Sequence, residues 1–256
     1  MAELAERPAR AETLPGWTEL RRVAIVPALN EEATIGRVLD ELRAFDPGLD
    51  IVVIDDGSTD RTGEVAEAKG AHVVRLPFNL GIGGAVQTGF RFAAEHGYDL
   101  AVRVDGDGQH DPAELARIIR PLLDDEADIA VGSRFAADGG YRSSRSRRIG
   151  IRILAWTVSR IVGQRVTDTT SGFQALNRRG IELFAADYPH DYPEVEATVM
   201  VARHRLRLRE VPVAMRERAG GRSSITALRS GYYMVKVLLA LFVGLFRRSI
   251  VPREEA

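Results

Sequence analysis

The 256-residue chain is 45% hydrophobic and 28% charged, the balance of a globular protein with room for one sizeable α/β domain. It contains no cysteine, which excludes disulfides, thiolate catalysis and cysteine-based zinc sites. The formal net charge of −1 conceals an asymmetry: residues 1–133 hold 13 Lys+Arg against 25 Asp+Glu, and residues 134–256 hold 22 against 11. An acidic half can hold a metal cation and a basic half can meet phosphates or anionic lipid; two solvated faces of opposite sign are the alternative.

Residues 1–20 are polar and lack the apolar core of a signal peptide. They read as a flexible lead-in, and the protein as cytoplasmic. From residue 21, short apolar runs alternate with helical patterns. Val23–Val26 precedes a helix near Ala33–Phe45, and Ile51–Ile54 precedes one near Arg61–Lys69. Val73–Leu76 precedes Gly84–His96, Leu100–Val104 precedes Ala113–Leu123, and Ile129–Val131 is a further short strand. Continuous β-branched runs, each followed by a helix, predict an α/β fold with a parallel sheet covered on both faces.

Ligands of such sheets bind at the carboxyl ends of the strands. The polar motifs fall there: Asn30-Glu31-Glu32, Asp55-Asp56-Gly57-Ser58 and Asp105-Gly106-Asp107-Gly108-Gln109-His110. In the last of these, two carboxylates one residue apart can face one point, and the intervening glycines allow a tight turn. Hard oxygen ligands suit Mg²⁺ or Mn²⁺, ions that also bind substrate phosphates. A calcium loop of the EF-hand type needs Glu at its twelfth position, where this chain has Ala116. A plain Asp/Gly surface turn is the structural alternative. Asp55 and Asp56 repel each other unless something binds them, and a base or ribose is a plausible partner. Ser58 or Thr59 is expected to cap the following helix. Asn79-Leu80-Gly81-Ile82-Gly83-Gly84 resembles a phosphate-cradling loop, but Val86 spoils a dinucleotide fingerprint and no Gly-Lys-Ser/Thr follows. Its glycines could equally serve close helix–sheet packing.

The second half is less regular. Arg142–Arg148 is a basic, Ser-rich loop, Ile149–Val162 an amphipathic helix and Asp168–Phe173 a polar turn. Pro193–Arg205 reads as a helix, Leu206–Val213 as a strand and Glu217–Ser224 as a Gly-rich loop. Tyr232–Phe246 is the most apolar segment, interrupted by Lys236 and closed by Arg247 and Arg248. It falls short of the ~20 apolar residues that span a bilayer. An interfacial helix, a buried terminal helix, and an interface with another copy or a membrane protein all remain open.

Taken together, Val26-Pro27-Ala28-Leu29-Asn30-Glu31, Asp55–Asp60, Asn79–Gly84, Asp105–His110, Val131-Gly132-Ser133-Arg134-Phe135, Asp168–Phe173 and Glu210-Val211-Pro212 resemble the family 2 inverting glycosyltransferases. Their order and spacing look most like the dolichyl- and polyprenyl-phosphate sugar synthases. The resemblance implies a GT-A fold over residues 21–224, a mostly parallel sheet flanked by helices, with a terminal helix and tail at 225–256. It implies a GDP- or UDP-sugar donor, Mg²⁺ or Mn²⁺, and a polyprenyl-phosphate acceptor at the cytoplasmic face of a membrane. Pro27, Leu29, Glu31, Asp55, Asp56, Gly83, Asp105, Gly106 and Arg134 would bind the donor. Asp105, Asp107 and Gln109 would hold the metal. Arg148, Arg152, Arg218 and Ser223 would meet acceptor and phosphates, and Asp107, Arg134 and Arg218 would act in catalysis. Leu29 and Ser224 depart from that branch, which often has Tyr and Lys there, and no Ser in the Arg142–Arg152 loop matches its acceptor site.

A lipid-phosphate acceptor needs no strong base, because the second pKa of a phosphate monoester is ~6. A saccharide hydroxyl would need one, and Glu194 and Glu196 are candidates, unless they serve only as acids at a helix N-terminus. A scaffold that keeps the fold without activity is a third reading, opposed by the intact Asp105/Asp107/Gln109 set. Nucleic acid is an unsuitable partner: the arginine-rich loop lacks interleaved aromatics, and the strand-end acids would repel a phosphate backbone.

Overall fold

The computed structural model describes residues 14–135, 145–190, 193–216 and Lys236, with the backbone alone for residues 145–153. Seven strands form one sheet: β1 (Arg22–Ala28), β2 (Asp50–Asp55), β3 (His72–Arg75), β4 (Leu100–Arg103), β5 (Ile129–Ser133), β6 (Gln174–Asn177) and β7 (Leu208–Pro212). Their order is β3-β2-β1-β4-β6-β5-β7. All pairings are parallel except those of β6, which runs antiparallel to both β4 and β5. The helices are α1 (Ile35–Phe45), α2 (Thr62–Ala68), α3 (Gly81–Glu95), α4 (Leu115–Leu123), α5 (Arg145–Val162), α6 (Arg178–Ala186) and α7 (Pro193–Arg203). The mostly parallel α/β sheet flanked by helices is therefore as expected.

The continuous apolar strands reflect burial on both faces. Ala24, Val26, Val53 and Val102 pack beneath Val38, Leu39 and Leu42 of α1 and Ile118 and Ile119 of α4. Their neighbours Val23, Ile25, Val52, Ile54 and Ala101 pack against Phe90 of α3 and Phe184 of α6 on the other face. Each such side chain contributes roughly 1.5–3 kcal/mol by leaving water. A smaller cluster joins Leu154 and Val158 of α5 to Val195 and Val199 of α7.

Four expectations change. α5 begins at Arg145, within the stretch expected to be a basic loop. β6 and α6 were not anticipated, because Gln174-Ala175-Leu176-Asn177 is too short and mixed to carry a strand period; its partners on both sides create it. The lead-in does not extend to residue 20. Leu14 and Trp17 are buried, the Trp17 indole N–H donates to Asp46 Oδ2 at 2.8 Å, and Arg22 closes the pair with Asp46 at 2.6 Å. Burial alone would raise the Asp46 pKa, but Arg22 and the Gly48 and Trp17 N–H groups hold it below the ordinary carboxylate value. Neither Ser58 nor Thr59 caps α2: Asp60 accepts the Thr62 N–H at 2.9 Å, and the Ser58 hydroxyl accepts the Asn30 N–H at 3.0 Å. Of the region 225–256, only Lys236 lies within the described residues, where it is helical and exposed. No helix among the described residues is long and apolar enough to cross a membrane.

Asp128, just before β5, is a buried tie between distant segments. It accepts from Asn177 Nδ2 at 2.9 Å, the Arg207 N–H at 2.8 Å and the Arg179 guanidinium at 3.3 Å. Burial opposes its charge, but these donors, Arg207 foremost, depress its pKa to about 2. The sign follows from linkage: a carboxyl lowered in the fold stabilises fully above its unfolded pKa, and the contribution disappears as pH falls through the folded one. Asp128→Asn is expected to lower the urea unfolding free energy by roughly 2–4 kcal/mol at pH 7. The gap to wild type should narrow as pH falls from about 4 towards 2. An equal gap at pH 7 and pH 2.5 would contradict the assignment.

Candidate active site

Parallel register brings the carboxyl ends of β1, β2 and β4 together. Ala28 is level with Asp55 across the β1–β2 pair, and beyond β4 the Gly106 N–H donates to Pro27 C=O at 3.2 Å. The loops leaving these ends are tied by polar side chains. The Thr59 N–H donates to Asn30 Oδ1 at 2.8 Å, and the Glu31 N–H to Thr62 Oγ1 at 2.8 Å. The Thr34 hydroxyl lies 2.8 Å from Gly106 C=O and 2.9 Å from the Glu31 carboxylate.

A cavity of about 290 Å³ opens between these loops. Pro27, Leu29 and Glu31 line it from β1, Asp56 from β2, and Asp105, Gly106 and Asp107 from β4, with Asn79, Gly81 and Ile82 at the start of α3. Leu29 and Ile82 are exposed apolar side chains on its wall, suited to a flat ring. Asp56 Oδ1 accepts the Leu80 N–H at 2.7 Å; burial pushes the Asp56 pKa up, and the neighbouring Asp55 adds to the rise. Asp55 does not line the cavity. It is the last residue of β2, and its Oδ1 accepts the Ser58 N–H at 3.0 Å, which shapes the turn. Sequence adjacency could not distinguish the two acids, because successive strand residues face opposite ways.

Gly83 is also absent from the cavity wall. A Cβ there would lie 2.5 Å from Pro189 C=O and 2.7 Å from His190 Cα. The absence of a Cβ there serves close packing of α3 on the segment after α6.

The Asp105–His110 loop is held from beneath. Gly108 has φ +76°, a left-handed turn that glycine adopts without strain. The Asp105 N–H donates to His110 Nδ1 at 3.0 Å, which places the imidazole proton on Nε2, 3.8 Å from Asp105 Oδ2. The ring stacks on Phe173 with centroids 4.7 Å apart, and burial lowers its pKa, so it is a neutral prop. Asp107 Oδ1 accepts the Gln109 N–H at 3.0 Å and Oδ2 accepts from Gln109 Nε2. Gln109 thus orients Asp107 and does not itself line the cavity. Arg216 pins the loop from outside: its N–H donates to Gln109 C=O at 2.9 Å and its guanidinium to Asp111 at 2.8 Å and Glu41 at 2.6 Å.

Asp105 and Asp107 offer hard carboxylate oxygens to one cavity, the donor set for Mg²⁺ or Mn²⁺. Among the described residues no three His, Cys, Asp or Glu side chains converge. Mg²⁺ characteristically uses one or two carboxylates and fills its shell from substrate phosphates and water, so this pair fits.

Arg134, at the end of β5, does not line this cavity. Its Nε and Nη2 both donate to Asp168 at 2.8 Å, and Nη2 reaches Thr170 Oγ1 at 2.6 Å. Burial works to raise the Asp168 pKa, but Arg134 outweighs it and the carboxyl is lowered. Glu210 of β7 in turn accepts the Thr167 and Asp168 N–H groups at 2.8 and 2.7 Å.

Glu194 and Glu196 lie in the first turn of α7. Glu194 Oε1 accepts from Arg103 Nη2 at 3.1 Å, and Glu196 is half-buried. Arg103 is the residue that sequence reasoning missed: it reads as one strand residue among apolar ones, yet it is fully buried and its Nε lies 3.1 Å from Asp105 Oδ1. A cation inside an apolar run directly before an acidic pair was the available signal. Arg148 and Arg152 are on α5 with their side chains outside the described residues, and Arg218 and Ser223 lie outside them altogether.

The family model for glycosyl transferase family 2 matches residues 23–184. The undecaprenyl-phosphate mannosyltransferase of Micrococcus luteus is 32% identical over 230 residues, 85% of this chain and 93% of that one. The polyprenol monophosphomannose synthase of Mycolicibacterium smegmatis is 31% identical over 227 residues, 85% of each. In structure, glucosyl-3-phosphoglycerate synthase of Mycobacterium tuberculosis, solved with Mn²⁺, uridine diphosphate and glucosyl-3-phosphoglycerate, superposes with a TM-score of 0.70. That likeness covers 91% of this chain and 82% of that one at 24% identity, and it bears on the fold alone.

Gly83→Ala is expected to destabilise the protein by roughly 1–3 kcal/mol, since backbone on the opposing segment must move. Nucleotide affinity of the folded protein, measured by calorimetry below its melting temperature, should stay within about twofold of wild type. A variant of full stability that no longer binds nucleotide would restore Gly83 to the site.

Proposed function

The chain belongs to glycosyl transferase family 2, in its polyprenyl-phosphate sugar synthase branch, and from that premise we propose that it moves a sugar from a GDP- or UDP-sugar to a polyprenyl phosphate with inversion. The observation that carries the donor half is that Leu29, Asp56, Asp105 and Asp107 line one cavity at the strand ends. The nucleoside lies along Pro27, Leu29 and Ile82 with Asp56 at its polar edge. The diphosphate faces Asp105 and Asp107.

Asp105 and Asp107 would hold Mg²⁺ or Mn²⁺, which neutralises charge growing on the diphosphate leaving group. The protein's own part is positioning. Gln109 fixes the Asp107 carboxylate, His110 fixes the Asp105 backbone, and Thr34 ties the nucleoside wall to Gly106. Loops already tied in this way need little reorganisation as charge develops, and that lowers the barrier.

On the acceptor side, a phosphate oxygen is largely ionised near neutral pH and needs no strong base. Glu194 fits this reading, because its Oε1 is engaged by Arg103. Arg134 is held at the end of β5 by Asp168, whose backbone Glu210 fixes in turn, and Arg134, Arg148, Arg152, Arg218 and Ser223 are proposed to make the phosphate contacts. The basic second half suits an anionic lipid head at a membrane surface, on its cytoplasmic side.

Purified protein, offered a panel of nucleotide-sugars with Mg²⁺ or Mn²⁺, is expected to form chloroform-extractable labelled product from a polyprenyl phosphate. A glycan acceptor supplied side by side should remain unlabelled. Labelled glycan with no labelled lipid would reverse the acceptor assignment. Asp107→Ala should lower the rate on the order of a hundredfold or more, and an unchanged rate would remove Asp107 from the site. Asp56→Ala should weaken nucleotide binding by about tenfold in titration calorimetry, the scale of one hydrogen bond to a charged group.

A further inference from the structure

Arg103 is a fixed cation built into the acidic end of the sheet. It is 1% exposed, so solvent does little to screen its charge. Two carboxylates share it: Asp105 Oδ1 lies 3.1 Å from Nε, and Glu194 Oε1 accepts from Nη2 at 3.1 Å. Nη1 is 3.4 Å from the Tyr188 hydroxyl. Its seat is filled on the remaining side by Gly172, where a Cβ would lie 2.6 Å from Nη2. A guanidinium keeps its charge in a protein, and Asp105 and Glu194 are its counter-charges here.

Asp105 faces two ways. It pairs with Arg103 behind the strand end and lines the cavity in front. A bare divalent ion entering the cavity would meet the Asp105 and Asp107 carboxylates with the positive charge of Arg103, shared by Asp105 and Glu194, directly behind. Like charges a few ångströms apart near a protein surface still repel more strongly than in bulk water. An ion whose charge a diphosphate has neutralised does not suffer that repulsion, and it brings the oxygen ligands that Asp105 and Asp107 lack.

We propose that Arg103 makes divalent-cation binding at Asp105 and Asp107 conditional on the nucleotide diphosphate, by opposing the bare ion across the shared Asp105 carboxylate. This rests on the assignment of that pair to the metal. Arg103 is then a positioning residue with an electrostatic duty: it keeps the site from filling with an ion that has no donor.

The test reads Mn²⁺ binding to the full chain by electron paramagnetic resonance, with and without uridine or guanosine diphosphate, and needs no turnover. Wild type should bind bare Mn²⁺ weakly and at least about tenfold more tightly with a diphosphate. Arg103→Gln keeps an N–H donor and removes the charge; it should tighten bare Mn²⁺ by about tenfold and shrink the diphosphate effect. Arg103→Lys, which keeps the charge, should behave as wild type. Glu194→Gln removes one of the two counter-charges and should weaken bare Mn²⁺.

A role confined to holding the loop would weaken Mn²⁺ in Arg103→Gln, so weaker or unchanged bare binding there overturns the proposal. If Arg103→Gln does not fold by circular dichroism, the other two variants decide. Weaker bare binding in Glu194→Gln with wild-type behaviour in Arg103→Lys sustains the proposal, and unchanged or tighter binding in Glu194→Gln overturns it. Failure of wild type to bind Mn²⁺ even with either diphosphate overturns the metal assignment and this proposal together. Tight diphosphate-dependent binding that is identical in wild type and Arg103→Gln overturns this proposal alone.

Discussion

The candidate active site depends on one constraint: three parallel strands end at the same level. Because β1, β2 and β4 share a register that sets Ala28 beside Asp55 and Gly106 beside Pro27, their exit loops must occupy one crevice. Backbone groups at those ends have lost their ladder partners, and most find side chains instead. Asn30, Ser58, Thr62 and Asp60 each take an N–H from a neighbouring loop. The same bonds that satisfy the backbone therefore stiffen the walls of the cavity, and a preformed cavity is what binding and transfer require.

Charge is partitioned on the same principle. Acids that serve the fold have a basic partner at close range: Asp46 has Arg22, Asp128 has Arg207 and Arg179, and Asp168 has Arg134. Asp56 and Asp107 line the cavity; Asp56 accepts the Leu80 N–H, and the Gln109 N–H and amide are among the partners of Asp107. Asp105 belongs to both sets, and for that reason the charge behind it matters to what can bind in front.

The chain's first half was legible because its signal is periodic and local. Apolar runs of four or five residues followed by helical patterns identify strands buried on two faces, and strand-end position drew attention to Asn30–Glu32, Asp55–Ser58 and Asp105–His110. The second half hid its strand β6, since Gln174–Asn177 acquires β structure only from the neighbours it joins. Trp17 escaped notice because a lone aromatic among polar residues has no period. Arg103 was passed over because a charged residue within a strand reads as solvated until both flanking layers are in place.

Alone, the sequence determined the fold class through its apolar periodicity, and the family through the resemblance of its motifs, because both are written along the chain. Only the tertiary structure decided how each acid is used. Asp56 faces the cavity while Asp55 closes a turn, Gly83 packs a helix, Gln109 clamps Asp107, and Arg134 is held by Asp168. These outcomes depend on which way a side chain leaves the backbone and what lies within about 3 Å of it. Partners such as Arg103 and Glu194, 91 residues apart, have no trace in local spacing.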